Sequence, residues 1–464
     1  MLWRQGYLPL RQWGVPETTK PGGLRPPRTR SVHTVRPTRH RPPDPVVGQE
    51  LTLDVGPIAH GGHCVARYEG RVVFVRHALP GEQVRAVVTE GGKFWRADAL
   101  EVLANPSPDR VPAVWPAAGP GGVGGAELSH VSLEGQRRWK AAVVAEQLQR
   151  LAGIERMVEV ESAPGDEARG GMEYRTRIDL VVGRDGRVGM RKHRSHDVVP
   201  LAEMPLATAA VASLAEAEGV FTCTWEPGSR LELVAPACDS APLLLIDGEV
   251  WRGGRVDRRE NVRRSVAEEV QPVGSNKIYA YRVSGDGFWQ NHREAPAVLT
   301  GTVVAALSDL LGGMTGASVL DLYAGAGLFT LPLADLVGES GCVFSIEGNP
   351  RAVRDARRNA HHLPQVTLLQ GGVEEVLASP GDTLPDAVDA VVLDPPRTGA
   401  GRAVCDAIAA LCPKRVVYVA CDPAALARDV GYLAGHGYRL AGLRAFDLFP
   451  HTHHVECVTV LDRD

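Results

Sequence analysis

The sequence predicts a multidomain protein: a small N-terminal β-barrel, a central α+β region and a C-terminal α/β doubly wound sheet. Three observations carry this. Short strand-like runs separated by glycine and proline turns fill residues 46–104. A tight-turn pair, Asp185-Gly186, follows the apolar run Ile178 to Val182. From about residue 280 the pattern repeats strand, loop and helix, as parallel sheets require. A chain of 464 residues has room for two or three domains.

Taken in order, residues 1–45 read as a disordered tail. Nine Lys and Arg stand against two acids, proline recurs and apolar periodicity is absent. The tail is expected either to have no fixed role or to act as a basic arm on phosphates. In 46–104 the strands are Glu50 to Val55, Cys64 to Tyr68, Arg71 to Val75 and Gln83 to Val88. Gly61-Gly62, Glu69-Gly70 and Pro80-Gly81 punctuate them. Arg67, Arg71, Arg76, Lys93 and Arg96, with Phe94 and Trp95, would suit a nucleic-acid backbone and base stacking.

Residues 105–279 form the central region. A helix over Gln136 to Leu151 is predicted from Trp139, Val143, Leu148 and Leu151 sharing one side. The hairpin around Asp185-Gly186 is flanked by Arg175, Arg177, Arg184, Arg187, Arg191, Lys192 and Arg194, the most basic folded-looking stretch and an expected RNA contact. In 280–464 the strand-like runs are Ser318 to Tyr323, Cys342 to Glu347, Val366 to Leu369, Ala390 to Asp394, Val416 to Ala420 and Val455 to Leu461.

Composition narrows the class. Apolar content of 44% and charged content of 23% are ordinary for a soluble protein. A net charge of -4 gives no overall attraction to nucleic acid, so any such contact must be local. No run approaches the roughly 18 apolar residues of a membrane span, and no apolar signal-peptide core is visible. The eight cysteines include no C-x-x-C pair, which suggests neither zinc nor a disulfide framework and fits a reducing cytoplasm.

In a doubly wound sheet, ligands bind at the carboxyl ends of the strands. The first strand ends in Asp321-Leu322-Tyr323 and runs into Gly325-Ala326-Gly327, where glycine admits a close ligand. Glu347, ending the second strand, can bind two ribose hydroxyls. The loop lacks the third glycine of a dinucleotide site. With Asp394-Pro395-Pro396 downstream, it points instead to S-adenosylmethionine. Arg397, where amino-directed enzymes carry an aromatic residue, argues against chemistry on an exocyclic amine.

Cys421 follows the strand run Arg415 to Ala420 and precedes the helix-start pair Asp422-Pro423. A helix N-terminus favours a thiolate. Asp422 opposes this unless, as N-cap, it faces the helix amides. A thiolate adding to carbon 6 of uracil makes carbon 5 nucleophilic, and a base must later remove the carbon 5 proton. Glu456, in an apolar strand after His453-His454, is the candidate base. No metal site is expected from these histidines.

These stretches resemble the RNA 5-methyluridine methyltransferases: Phe288-Trp289-Gln290-Asn291, Asp321 to Leu333, Ser345 to Asn349, Val392 to Arg397, Tyr418 to Asp422 and Phe449 to Glu456. Residues 46–104 resemble a TRAM domain, an OB-like RNA-binding barrel. The resemblance implies a Rossmann-like methyltransferase domain, a central RNA-recognition region and a tRNA or ribosomal RNA substrate. It makes Cys421 the nucleophile and Glu456 the proton acceptor. Gln290, Tyr323, Glu347 and Asp394 would contact S-adenosylmethionine, and Phe288, Gln290 and Asp394 the target base, extruded from its stack. A monomer is expected.

Three departures stand out. Trp115 to His130 lacks the cysteines of an iron–sulfur cluster and the later position reads Met204, so no cluster is expected. Asp422 replaces the usual Asn after the nucleophile, and Leu328 replaces an Asn in the first loop. Cytosine carbon 5 methylation is disfavoured because Pro395-Pro396-Arg397 carries no cysteine. An RNA-binding protein that has lost catalysis is the reading from another class.

Overall fold

The computed structural model describes residues 45–193, 195–238, 240–310, 313–379, 381 and 383–464. The readings of the tail before residue 45 and of Arg194 lie outside the described residues.

Five strands close the N-terminal barrel: β1 (Glu50–Ala59), β2 (His63–Tyr68), β3 (Arg71–Arg76), β4 (Gln83–Glu90) and β5 (Trp95–Ala104), in the order β1-β2-β3-β5-β4. Every second side chain points inward: Leu51, Leu53 and Val55 on β1, and Val84, Ala86 and Val88 on β4, are buried. Closure leaves no unpaired edge.

Helix α1 (Leu133–Gln147) follows, its N-terminus capped by Ser132 Oγ, which accepts from Gly135 N at 3.1 Å. It starts three residues earlier than its periodicity predicts and runs on into a π-helical turn, Leu148–Ala152, where Leu151 is 48% exposed. The apolar residues also divide between two cores. Trp139 and Val143 pack into the barrel, whereas Val144 and Leu148 pack against the C-terminal sheet. One helix is thus wedged between two domains, which a single apolar stripe does not reveal.

After β6 (Val160–Ser162) comes a six-stranded antiparallel sheet. Its members are β7 (Arg177–Val182), β8 (Val188–Arg191), β9 (Val198–Pro200), β10 (Arg230–Val234), β11 (Leu243–Ile246) and β12 (Glu249–Trp251), ordered β12-β11-β10-β7-β8-β9. Helix α2 (Ala209–Ala217) packs on it. The β7–β8 hairpin turns at Asp185-Gly186; Gly186 has φ +75°, and a Cβ there would meet Thr224 Cγ2 at 2.5 Å. A two-stranded hairpin, β13 (Ser265–Val270) and β14 (Tyr279–Ser284), leads to α3 (Ala295–Ser308).

The last layer alternates β15 (Ser318–Leu322), α4 (Thr330–Val337), β16 (Cys342–Glu347), α5 (Pro350–Ala360), β17 (Val366–Gln370), α6 (Val373–Ala378), β18 (Ala390–Leu393), α7 (Gly401–Ala410), β19 (Arg415–Ala420) and α8 (Pro423–Ala434). It ends with β20 (Tyr438–Asp447) and β21 (Glu456–Arg463). The sheet order is β17-β16-β15-β18-β19-β21-β20-β6, with β21 antiparallel to both β19 and β20. Apolar cores cover both faces, as a mainly parallel sheet demands. Strand β20 is absent from the sequence reading: Arg439, Gly442 and Arg444 interrupt its apolar run, and its register with β21 shifts between Leu440 and Gly442. β6 joins the sheet beside it in parallel. Among the described residues no helix is long and apolar enough to cross a membrane.

Candidate active site

The order of the strands reverses at β15 and β18, and the residues singled out in the sequence gather at the carboxyl ends on either side. On one side β15 carries Asp321 next to its last residue, Leu322, and the chain then turns sharply. Tyr323 has φ +62°, Gly325 +58° and Gly327 +92°. A Cβ on Gly325 would meet nothing within 4 Å, so the loop faces open space there. Glu347, at the end of β16, accepts from Gly325 N at 2.9 Å and from Asn349 N at 2.6 Å. Its carboxylate therefore pins the loop and keeps lone pairs free for hydroxyl donors.

Beneath the loop, Asp321 Oδ2 accepts from Thr330 Oγ1 at 2.5 Å, while the buried Asp321 Oδ1 has no partner. Burial, with Glu347 nearby, pushes the Asp321 carboxyl up to about 7. Leu328 packs in the core, and only its carbonyl is engaged, accepting from Tyr281 Oη at 2.9 Å. An S-adenosylmethionine molecule fits this donor set: an open glycine turn, an acid at the second strand end and an orphaned carboxylate oxygen. Tyr323 and Glu347 would hold it.

Across the switch point, β18 and β19 pair in parallel with Leu393 opposite Tyr418. β19 and β21 pair antiparallel with Ala420 opposite Cys457. Continuing that register by one step brings Cys421 toward Glu456, which acts on the thiol electrostatically. Asp394 leaves β18 at the same edge and joins Gln290, whose Nε2 donates to Asp394 Oδ2 at 3.5 Å. Phe288, two residues earlier, is 71% exposed and available for stacking. Tyr323, Glu347, Asp394, Cys421 and Glu456 thus lie at or just beyond strand ends of the sheet, with Gln290 beside Asp394 and with Glu456 and Asp394 both acting on Cys421.

The electrostatics of that cluster favour neutral forms. Burial, then Glu456 and Asp394, push the Cys421 thiol up to about 12; Arg397 opposes them. Burial and Asp394 hold the Glu456 carboxyl well above the usual range, again against Arg397. Burial and Asp321 raise Asp394 to about 7. Asp422 caps α8, accepting from Ala424 N at 3.0 Å and Ala425 N at 2.9 Å, and its second oxygen lies 3.3 Å from His60 Nε2.

The loop between β20 and β21 is braced from outside the sheet. Lys140 of α1, fully buried, pairs with Asp447 and donates to the Phe449 carbonyl at 3.1 Å. Gln136 accepts from His451 N at 2.6 Å, and His451 itself has φ +66°. His453 pairs with Glu127. These histidines serve as props of the loop. Sequence reasoning missed Lys140, Gln136 and His60; a Lys and a Gln inside an otherwise amphipathic helix were the available sign.

Two cations expected to contact RNA are buried. Arg76 is paired with Asp98 at 3.0 Å. Arg177 donates to the Gly287 carbonyl at 2.9 Å, bracing the segment before Phe288. On the barrel, by contrast, His63, Phe74 and Phe94 form a chain of ring contacts at 4.7 and 5.8 Å, with Arg96 over Phe74 and Arg71 over Trp95.

Known families and proteins match this chain over nearly its whole described length. The family described as tRNA (Uracil-5-)-methyltransferase matches residues 384–464, the TRAM domain 46–95, and the protein-L-isoaspartate O-methyltransferase family 293–377. An RNA methyltransferase of Streptomyces coelicolor, its function uncharacterised, is 44% identical over 90% of this chain and 94% of its own. The 23S rRNA (uracil(1939)-C(5))-methyltransferase of Alkalilimnicola ehrlichii is 32% identical over 88% of this chain and 95% of its own. The solved tRNA (uracil-54, C5)-methyltransferase of Pyrococcus abyssi, bound to S-adenosyl-L-homocysteine, shares the fold with a TM-score of 0.61 at 23% identity, covering 89% of this chain and all of that one.

Proposed function

The chain belongs to the RNA (uracil-C5)-methyltransferase family, and on that premise we propose that it methylates carbon 5 of a uridine in structured ribosomal or transfer RNA through a covalent bond from Cys421 to carbon 6. The observation that supports this reading is the antiparallel register of β19 and β21, whose last pair, Ala420 opposite Cys457, leaves Cys421 and Glu456 one step beyond it.

S-adenosylmethionine supplies the methyl group on a sulfonium and leaves as S-adenosylhomocysteine. The rest falls to this chain's own residues. Phe288 and the Gln290–Asp394 pair would seat the extruded uracil. The Cys421 thiolate adds to carbon 6, and the electron pair of the 5,6 double bond moves toward oxygen 4. Carbon 5 then takes the methyl group and briefly carries both methyl and hydrogen. Glu456 removes that proton, the double bond re-forms, and the carbon–sulfur pair returns to sulfur. A carboxylate made more basic by burial is suited to a carbon acid, and Arg397 supports its ionised form. The aromatic and basic face of the barrel would carry flanking nucleotides by stacking and charge.

The test is deletion of the gene followed by mass spectrometry of nucleosides from separated tRNA and ribosomal RNA, with either the native gene or Cys421→Ala restored. Loss of 5-methyluridine from one pool, restored only by the native gene, supports the reaction and identifies the RNA. No change in any pool would reject the catalytic reading.

A further inference from the structure

The barrel touches the catalytic loops as well as offering a surface to RNA. Its β1–β2 turn, His60 to Gly62, lies against both segments that flank the Cys421–Glu456 pair. His60 Nε2 is 3.3 Å from Asp422 Oδ2, with both side chains partly exposed. A Cβ on Gly62 would lie 3.0 Å from His453 Nδ1, and Gly62 has φ +78°, so the backbone packs on His453 as only glycine permits.

We propose that His60 is a positioning residue for Cys421: from the barrel it pairs with Asp422, holds that carboxylate against the α8 amides and offsets its negative charge beside the sulfur. The inference rests on the reading of Cys421 as nucleophile. The two oxygens of Asp422 divide the work, Oδ1 accepting from Ala424 and Ala425 and Oδ2 facing His60. This matters because three carboxylates, Glu456, Asp394 and Asp422, act on the sulfur, while Arg397 opposes them. Of the other groups near the turn, His63 is turned to the Gly61 carbonyl and the Phe74 ring, and His453 to Glu127 and His454. Among these described side chains, His60 is the one that pairs with Asp422. An acid after the nucleophile is thereby made tolerable by a side chain from another domain, and barrel docking becomes part of thiol activation.

The test uses the full-length protein without RNA or methyl donor, so its outcome is independent of whether the methylation assay succeeds. Iodoacetamide labelling of Cys421 is followed by peptide mass spectrometry across the neutral pH range. His60→Ala is expected to slow labelling about three- to tenfold, a shift of about half to one pH unit in the thiolate fraction. Asp422→Asn should label at least as fast as the native protein, and His60→Ala with Asp422→Asn should match Asp422→Asn alone. A His60→Ala rate equal to native overturns the proposal. So does a double variant as slow as His60→Ala, which would leave His60 a mere anchor of the barrel. Buried Cys405 and Cys457 report folding in the same digest. Should His60→Ala loosen the fold, His60→Gln, also uncharged, takes its place with the same expectations.

Discussion

On the β15–β16 side of the site, Asp321, the glycine turn and Glu347 come from one stretch of chain, and they hold each other: Thr330 on Asp321, Glu347 on the glycine turn. On the β19–β21 side, nothing is self-sufficient. Cys421 depends on α8 for its capped turn, and Glu456 on a strand inserted antiparallel. The intervening loop depends on α1, and Asp422 on the barrel. A binding turn can be built from neighbours in sequence. The surroundings of Cys421 and Glu456 instead draw on the barrel, α1 and the inserted strand.

Breaking the second side should have the largest effect. Cys421→Ala should abolish methylation and any adduct. Glu456→Gln should lower turnover by about 10²- to 10⁴-fold, while a protein–RNA adduct accumulates on denaturing gels. The brace comes next. Lys140→Met leaves Asp447 buried and unpaired, which should cost about 3–5 kcal/mol of unfolding free energy in denaturant titration. The exposed Lys277–Asp335 pair should be worth under about 1 kcal/mol by the same measurement.

The first side can be weakened by itself. Asp321→Ala should reduce S-adenosylmethionine affinity by roughly tenfold in calorimetry, about one charged hydrogen bond. Asp394 joins the two sides, and its raised pKa gives a stability signature. The folded state binds its proton more tightly than the unfolded chain, so stability falls as pH rises from the ordinary carboxylate range through about 7, then levels. Asp394→Asn should therefore raise the melting temperature at about pH 8 and leave it little changed at about pH 4. The smallest effect belongs to the barrel face: Phe94→Ala should weaken RNA binding by about fivefold in filter binding, one stacked base at the low end, without altering stability.

Legibility follows the same division. Asp321, Gly325, Gly327, Glu347 and Asp394-Pro395-Pro396 are readable because each sits where a strand's apolar run meets a turn. Cys421 is readable because a cap and a proline mark the helix after it. Arg76 and Arg177 mislead because charge is visible in a sequence and burial is not. β20 is missed because a glycine and two arginines break its alternation while its neighbours supply the pairing.

By itself the sequence determined the alternation of strands and helices, four of the five barrel strands, the glycine turn and the chemical types brought to the site. These depend on periodicity and on residues a few positions apart. Only the tertiary structure decided that Cys421 is brought toward Glu456, that α1 serves two cores, that Lys140 holds the Asp447 loop and that His60 meets Asp422. Those contacts come from strand order and domain docking. They join residues far apart along the chain, and no local pattern encodes such a distance.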